Sequence, residues 1–291
     1  MDNENARFGR KIARFFSILY ENKTGFTGFL ILCFFAIFAL FGPLIKPYDP
    51  MGFGGASDIL RSPTANHWLG TDDMGRDVLG ALIAGSRISL LVGIMATLLS
   101  MLLGASVGIV SGYFGGVIDA ILMRITDIFL VLPWLPLVLV LAAILGANLW
   151  NIILVIGLTS WAGTARVVRA QTLSVKERTY IERAKSLGSS NYHIMMKHIL
   201  PNVFPVIFAN TVLITAVAIL SETTLSFLGL GDSLNPSWGM MLHYAFECGA
   251  MSIGAYWFLL PPGICVVLVV LGFTFLGYAF DEWINPQIAR R

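Results

Sequence analysis

Residues 128–165 read IFLVLPWLPLVLVLAAILGANLWNIILVIGLTSWAGTA, 38 positions without a Lys, Arg, Asp or Glu. A membrane-spanning helix needs about 20 largely apolar residues at 1.5 Å rise each. The run is therefore too long for one crossing and fits two, folded at the turn-prone Gly146-Ala147-Asn148. Working outward, uncharged runs recur at 24–45, 88–118, 198–221 and 248–280. Together they predict six spans, at roughly 25–45, 88–110, 122–145, 149–168, 202–229 and 257–280. Composition agrees: 56% of the 291 residues are hydrophobic and 12% charged, where soluble domains carry about a quarter. So few charges cannot cover a water-soluble globule of this size, and the chain reads as an all-α polytopic membrane protein. The first apolar run is long enough to span and has no A-x-A site at its end, so it reads as a signal anchor rather than a cleaved leader.

Charge placement orients the spans. With the N-terminus in the cytoplasm, 15 of the 19 Lys and Arg fall on the inner side, and only Lys46, Arg61, Arg76 and Arg87 on the outer. That asymmetry is the positive-inside pattern and places both termini in the cytoplasm. Residues 1–24 form a cytoplasmic N-terminal segment in which Phe8, Ile12, Phe15, Phe16 and Leu19 share one helical face, a pattern suited to the headgroup layer. The first span (25–45) leads to an outer segment at 46–87. A core at 88–291 holds the remaining spans, with a cytoplasmic loop at 169–201 and an outer loop at 230–256.

The motifs of chemistry are missing. The sequence has no Gly-Lys-Ser or Gly-Lys-Thr, so it carries no phosphate-cradling P-loop, and it has no H-E-x-x-H, C-x-x-C or G-x-S-x-G. Its four histidines are scattered over both sides of the membrane. Cys33, Cys248 and Cys265 lack metal spacing and read as small buried hydrophobes. Asp72, Asp73 and Asp77 lack the alternating ligands and closing Glu of a calcium loop, and read as a structured turn. The net charge of +2 is accounted for by topology and does not point to nucleic acid. These features argue against an enzyme and predict no catalytic residue, bound cofactor or metal. Within the spans, Glu222 is the notable carboxylate, placed either on a pathway or gate or in hydrogen bonds to nearby hydroxyls such as Ser226. Arg124 and Asp127, three apart, suit a pair with each other or with a partner chain. Pro133, Pro136 and the Pro261-Pro262-Gly263 sequence favour kinks.

The cytoplasmic loop is more specific. It reads Glu182-Arg183-Ala184-Lys185-Ser186-Leu187-Gly188, then nine residues, then His198-Ile199-Leu200-Pro201. Gly188 suits the end of a short helix and Pro201 the first turn of the next span. Ala184 and Gly188 are four apart and would share a face on a helical turn. This loop resembles the E-A-A-x-x-x-G-x9-I-x-L-P segment of permease subunits of ATP-binding-cassette importers. Arg183 stands in place of the first alanine, and His198 in place of the usual Ile.

The resemblance continues along the chain. His67-Trp68-Leu69-Gly70-Thr71-Asp72-Asp73-Met74-Gly75-Arg76-Asp77 is similar to the H-x-L-G-T-D-x-x-G-R-D segment of the dipeptide/oligopeptide/nickel permeases. Residues 222–231 (ETTLSFLGLG), Pro236-Ser237-Trp238-Gly239 and the closing Asn285-Pro286 follow in order, with Asn285 where Asp is usual. The combination resembles the second, C-type permease of such systems. It implies a type I importer permease fold in a prokaryotic cell membrane, paired with a sister permease. It also implies two ATP-binding-cassette ATPase subunits, which bind ATP and Mg, and an external solute-binding protein. Glu182, Arg183, Ala184, Gly188, Leu200 and Pro201 would then belong to a coupling helix and its flank, docked on an ATPase. Peptides are the expected cargo, with nickel complexes or oligosaccharides as alternatives. An ion-coupled secondary transporter, using Glu222 and Asp127, is the rival of a different class.

Overall fold

A computed structural model of the chain describes residues 22–284. The amphipathic segment expected before residue 22 and the Asn285-Pro286 motif lie outside the described residues. Among the described residues there is no strand, only an isolated antiparallel bridge between Thr71 and Asp77. The helices are α1 (Lys23–Ile45), α2 (Val78–Phe114), α3 (Gly116–Val131), α4 (Trp134–Leu145) and α5 (Leu149–Lys176). They continue with the short α6 (Thr179–Ser186), the long α7 (Asn191–Leu230), α8 (Trp238–Glu247) and α9 (Tyr256–Ile284). Five of these are long and apolar enough to span a membrane: α1, α2, α5, α7 and α9.

The pair α3–α4 makes the remaining crossing, bent by 90°. Its break falls at Pro133, which pushes the preceding Leu132 into the extended region (φ −64°, ψ 134°). The direction of crossing follows from the neighbours. A Cβ added to Gly104, Gly108 or Gly112 would strike Thr164, Val168 and Thr172 in turn, so α2 and α5 run parallel. Two parallel helices in sequence require a return between them, and α3–α4 supplies it. The expected fold-back at Gly146-Ala147-Asn148 is present. Gly146 takes φ 87°, and the Asn148 side chain caps α5 by accepting from the Trp150 amide at 2.9 Å.

Three boundaries differ from the sequence expectation. Residues 78–87, expected in the outer segment, are the first turns of α2, because Asp77 Oδ1 accepts the Gly80 amide at 2.9 Å and caps the helix there. Residues 169–176 belong to α5, and α7 starts at Asn191 rather than at Pro201. Pro201 brings no N–H for the carbonyl four residues back. The helix meets it through a π-turn at Met195–Ile199, where the Leu200 amide reaches the Met195 carbonyl. The non-helical part of the expected 169–201 loop thus shrinks, and α8 occupies the middle of the expected 230–256 loop.

Proline and arginine cooperate at the end of α1. Pro43 removes the donor that would bond the Ala39 carbonyl; Arg87 of α2 supplies Nε to it at 2.6 Å and a second N–H to the Leu40 carbonyl at 3.2 Å. The core lies between α1, α2, α8 and α9, around Phe35, Leu82, Trp238 and Phe258. A second cluster ties α2, α4 and α5, and a third surrounds α6. Asn22 and Glu282, bonded at 2.7 Å, bring both ends of the described chain together. Following the crossings, that end is also the end carrying α6. The three cysteines are free and half-buried rather than fully buried.

Candidate functional site

The α6 end is built from a short helix on an apolar seat. Ile181 is fully buried beside Val175, Ile194 and Ile199, and Ala184 packs on the same cluster. Glu182, Arg183, Lys185 and Ser186 are exposed, as is Leu187 at 87%. The helix stops by a Schellman arrangement: the Gly188 amide donates to the Lys185 carbonyl at 2.9 Å and the Ser189 amide to the Ala184 carbonyl at 3.1 Å. Gly188 holds φ 78°, a conformation that side chains rarely adopt, and no atom lies within 4 Å of where its Cβ would be. Gly188 therefore lies past the helix end and does not share a helix face with Ala184, which turns inward. Leu200 is half-buried against the same cluster, and Pro201 is exposed.

The opposite end is tied by Glu222 and the aspartates. Glu222 is 1% exposed. Its Oε1 accepts the Ser226 hydroxyl at 2.7 Å and its Oε2 the Ser89 hydroxyl of α2 at 3.3 Å. Ser89 in turn accepts the Trp238 amide at 3.2 Å, and the Trp238 ring N–H donates to the Leu82 carbonyl at 2.9 Å. The carboxylate thus joins α7 to α2 and, through Ser89, to the start of α8. Of the neighbours considered from sequence, Ser226 is a partner. Ser221, Thr223 and Thr224 instead bond carbonyls of their own helix.

The aspartate cluster is a structured turn. Asp72, 1% exposed, accepts the amides of Met74 and Arg76 and binds Arg76 Nε at 2.7 Å. Asp77 caps α2 and also binds His67 Nδ1 at 2.8 Å and Lys46 at 3.1 Å. Burial acts to raise the Asp77 carboxyl, but the Gly80 amide, His67 and Lys46 outweigh it and hold it below the usual range. Tyr48 beside this turn is pushed up to about 12, chiefly by burial. Asp232 binds the Leu149 and Leu234 amides, fixing the loop before α8 to the start of α5. Among the described residues, no group of three or more His, Cys, Asp or Glu is placed to hold a metal ion.

Two ion pairs depart from the sequence reading. Asp127 pairs with Arg166 of α5 at 2.6 Å, not with Arg124. Asp119, unremarked in the sequence, takes both Nε and an NH2 of Arg169 and also accepts the Ser111 hydroxyl. An Arg three residues from an Asp suggested a local pair; the antiparallel neighbour offers two better-placed guanidinium groups. Sequence reading also missed the seam of α2, although Gly104-x3-Gly108-x3-Gly112 is the small-residue spacing of close helix contacts in membranes.

Comparison with known proteins adds to this geometry. Residues 104–290 match the family described as binding-protein-dependent transport system inner membrane component. Residues 12–63 match the N-terminal TM domain of oligopeptide transport permease C. The dipeptide transport system permease protein DppC of Bacillus subtilis (strain 168) is 37% identical over 273 residues, 94% of this chain and 84% of that protein. The oligopeptide transport system permease protein OppC of the same strain is 33% identical over 275 residues, 93% of this chain and 88% of the relative. The glutathione transport system permease protein GsiD of Pectobacterium atrosepticum is 33% identical over 262 residues, 90% of this chain and 86% of that protein.

Proposed function

This chain belongs to the family of inner-membrane components of binding-protein-dependent transport systems, and we propose that it forms half of the transmembrane pathway of an ATP-driven peptide importer. Peptide cargo is supported by the names of the relatives, which include dipeptide, oligopeptide and glutathione permeases. The sister half is a second permease, and two ATPase subunits bind ATP and Mg and dock at the α6 end. An external solute-binding protein docks at the opposite end. Both termini and α6 are cytoplasmic in this reading, which the lysines and arginines of residues 166–197 support.

The observation that carries the proposal is α6 itself: a capped two-turn helix, seated by Ile181 and Ala184, with Glu182, Arg183 and Leu187 facing outward. Its seat makes it move with α5 and α7 when an ATPase pulls on its exposed side. Leu200 and Pro201, just past the π-turn inside α7, carry that motion along it. Glu222 acts at the far end by holding α8 against α2, a gate role exercised through packing rather than contact with solute. The permease itself makes or breaks no covalent bond.

The test uses the assembled complex in liposomes. Gly188→Leu forces a leucine into a left-handed position, so α6 loses its Schellman end; labelled dipeptide uptake is expected to stop while the sister permease remains bound. ATPase subunits should co-purify with the wild-type chain. Normal uptake in Gly188→Leu, or absence of ATPases from the wild-type complex, overturns this role. Single cysteines at Ser57 and Ser174 should label from opposite sides of intact cells; labelling of both from outside would overturn the orientation.

A further inference from the structure

We infer that Tyr113, at the last turn of α2, is the positioning residue that links α6 to the spans. The inference rests on the coupling role proposed above and goes beyond it, because Tyr113 lies about 70 residues upstream of the loop and outside its motif. Four observations meet on this side chain. Tyr113 is 4% exposed. The Lys185 ammonium of α6 lies 5.3 Å from its ring centroid, and that of Lys176, the last residue of α5, lies 5.9 Å away. Its hydroxyl donates to Asn191 Oδ1, at the start of α7, at 2.7 Å. Its ring belongs to the apolar cluster that buries Ile181 of α6.

One ring therefore touches the short helix, the end of α5, the start of α7 and its own α2. An ammonium within about 6 Å of an aromatic centroid is attracted by the ring's negative face. One such cation comes from α6 and the other from α5, so the ring is held to both elements and a displacement of α6 acts on it. The ring sits on a stiff element. Immediately before it, Gly112, Gly108 and Gly104 lock α2 against α5 at separations where an added methyl would lie under 3.0 Å from Thr172, Val168 and Thr164. The far end of the same helix carries Ser89, which holds Glu222 and Trp238. Motion delivered to Tyr113 thus enters α2, which, like α7, reaches both the coupling end and the Glu222 end.

The experiment measures ATP hydrolysis by the complete complex, with and without the system's own binding protein preloaded from a tryptic casein digest. In Tyr113→Leu the ATPases should still co-purify, while stimulation by loaded binding protein falls about fivefold or more. Tyr113→Phe, which keeps the ring and loses only the Asn191 bond, should retain stimulation to within about twofold. Lys185→Met, at an exposed position, should lose stimulation partially, and adding it to Tyr113→Leu should change nothing further. That non-additivity separates an action through the ring from a direct contact of Lys185 with the ATPase. Wild-type stimulation in Tyr113→Leu, equal defects in the Phe and Leu variants, or additive effects of Lys185→Met each overturn the assignment. If Tyr113→Leu does not assemble, full stimulation in Lys185→Met overturns it instead. A wild-type complex that lacks ATPases fails earlier and refutes the coupling role itself.

Discussion

Gly108 and Gly163 make a matched pair for testing how α2 and α5 are held. Both are helical glycines, so replacing either with alanine gains helix propensity worth up to about 1 kcal/mol. They differ in surroundings. A Cβ at Gly108 would lie 2.6 Å from the Ala165 carbonyl oxygen and 2.7 Å from Val168 Cβ, whereas nothing lies within 4 Å at Gly163. The obstacle at Gly108 is backbone and a β-branched carbon, neither able to rotate away, so the helices must separate. Overpacking of this kind costs about 1–3 kcal/mol, and the gain in propensity offsets only part of it. Gly108→Ala should therefore be less stable than wild type by up to about 2 kcal/mol, and Gly163→Ala equal to or slightly more stable than wild type. Thermal unfolding of the purified complex in detergent, followed by the monodisperse fraction remaining on size exclusion, reads the order. Gly108→Ala as stable as Gly163→Ala would refute the close parallel seam, and with it the placement of α3–α4 as the return crossing.

Glu222→Leu should cost about 1–3 kcal/mol by leaving the Ser226 and Ser89 hydroxyls without their acceptor, while Glu222→Gln, keeping one acceptor oxygen, should cost less; equal stability of the two in the same unfolding assay would show that these bonds contribute little. Arg87→Met should cost a similar 1–3 kcal/mol, since the Ala39 carbonyl freed by Pro43 loses its donor; Pro43→Ala should recover much of that loss by restoring the helical bond, and a double variant no more stable than Arg87→Met would contradict this. Asp77 has a depressed carboxyl in the folded chain, so its stabilisation is complete above about pH 4 and is lost as the pH falls further. Asp77→Asn should remove that part of the acid sensitivity below about pH 4, and identical acid profiles for the two proteins would exclude it.

The spans were legible because a bilayer leaves little choice: an uncharged run of spanning length must be helix. What escaped reading depends on partners distant in sequence. The start of α2 moved ten residues because Asp77 is a cap, and its aspartate looked like one of a loop cluster until the Gly80 amide was seen to need it. Local spacing offers Asp127 either Arg124 or a partner chain, but the antiparallel α5 presents Arg166 and Arg169 to α3 and takes both Asp127 and Asp119. Gly188 was legible as a helix end, yet its spacing from Ala184 suggested a shared face that the Schellman turn abolishes. The partners of Glu222 were half legible, since Ser226 is four residues away but Ser89 is 133 residues away.

The two ends of the molecule are built by different physics, and α2 is common to both. At the α6 end, exposed cations surround a small apolar seat, an arrangement that can be pulled from outside without unfolding because Ile181 and Ala184 anchor it. At the opposite end a carboxylate is sealed away from water among hydroxyls, where a lost hydrogen bond has no replacement. A helix of 37 residues is about 55 Å long, well beyond the roughly 30 Å hydrocarbon layer. It therefore extends beyond that layer, and its small-residue seam packs it closely against α5. A flexible connection would absorb a displacement at Tyr113, whereas in the coupling role proposed above α2 would pass it on to Ser89. Under the same proposal, such a displacement would reach Glu222 through its bond to Ser89, the contact that ties α7 to α2 there.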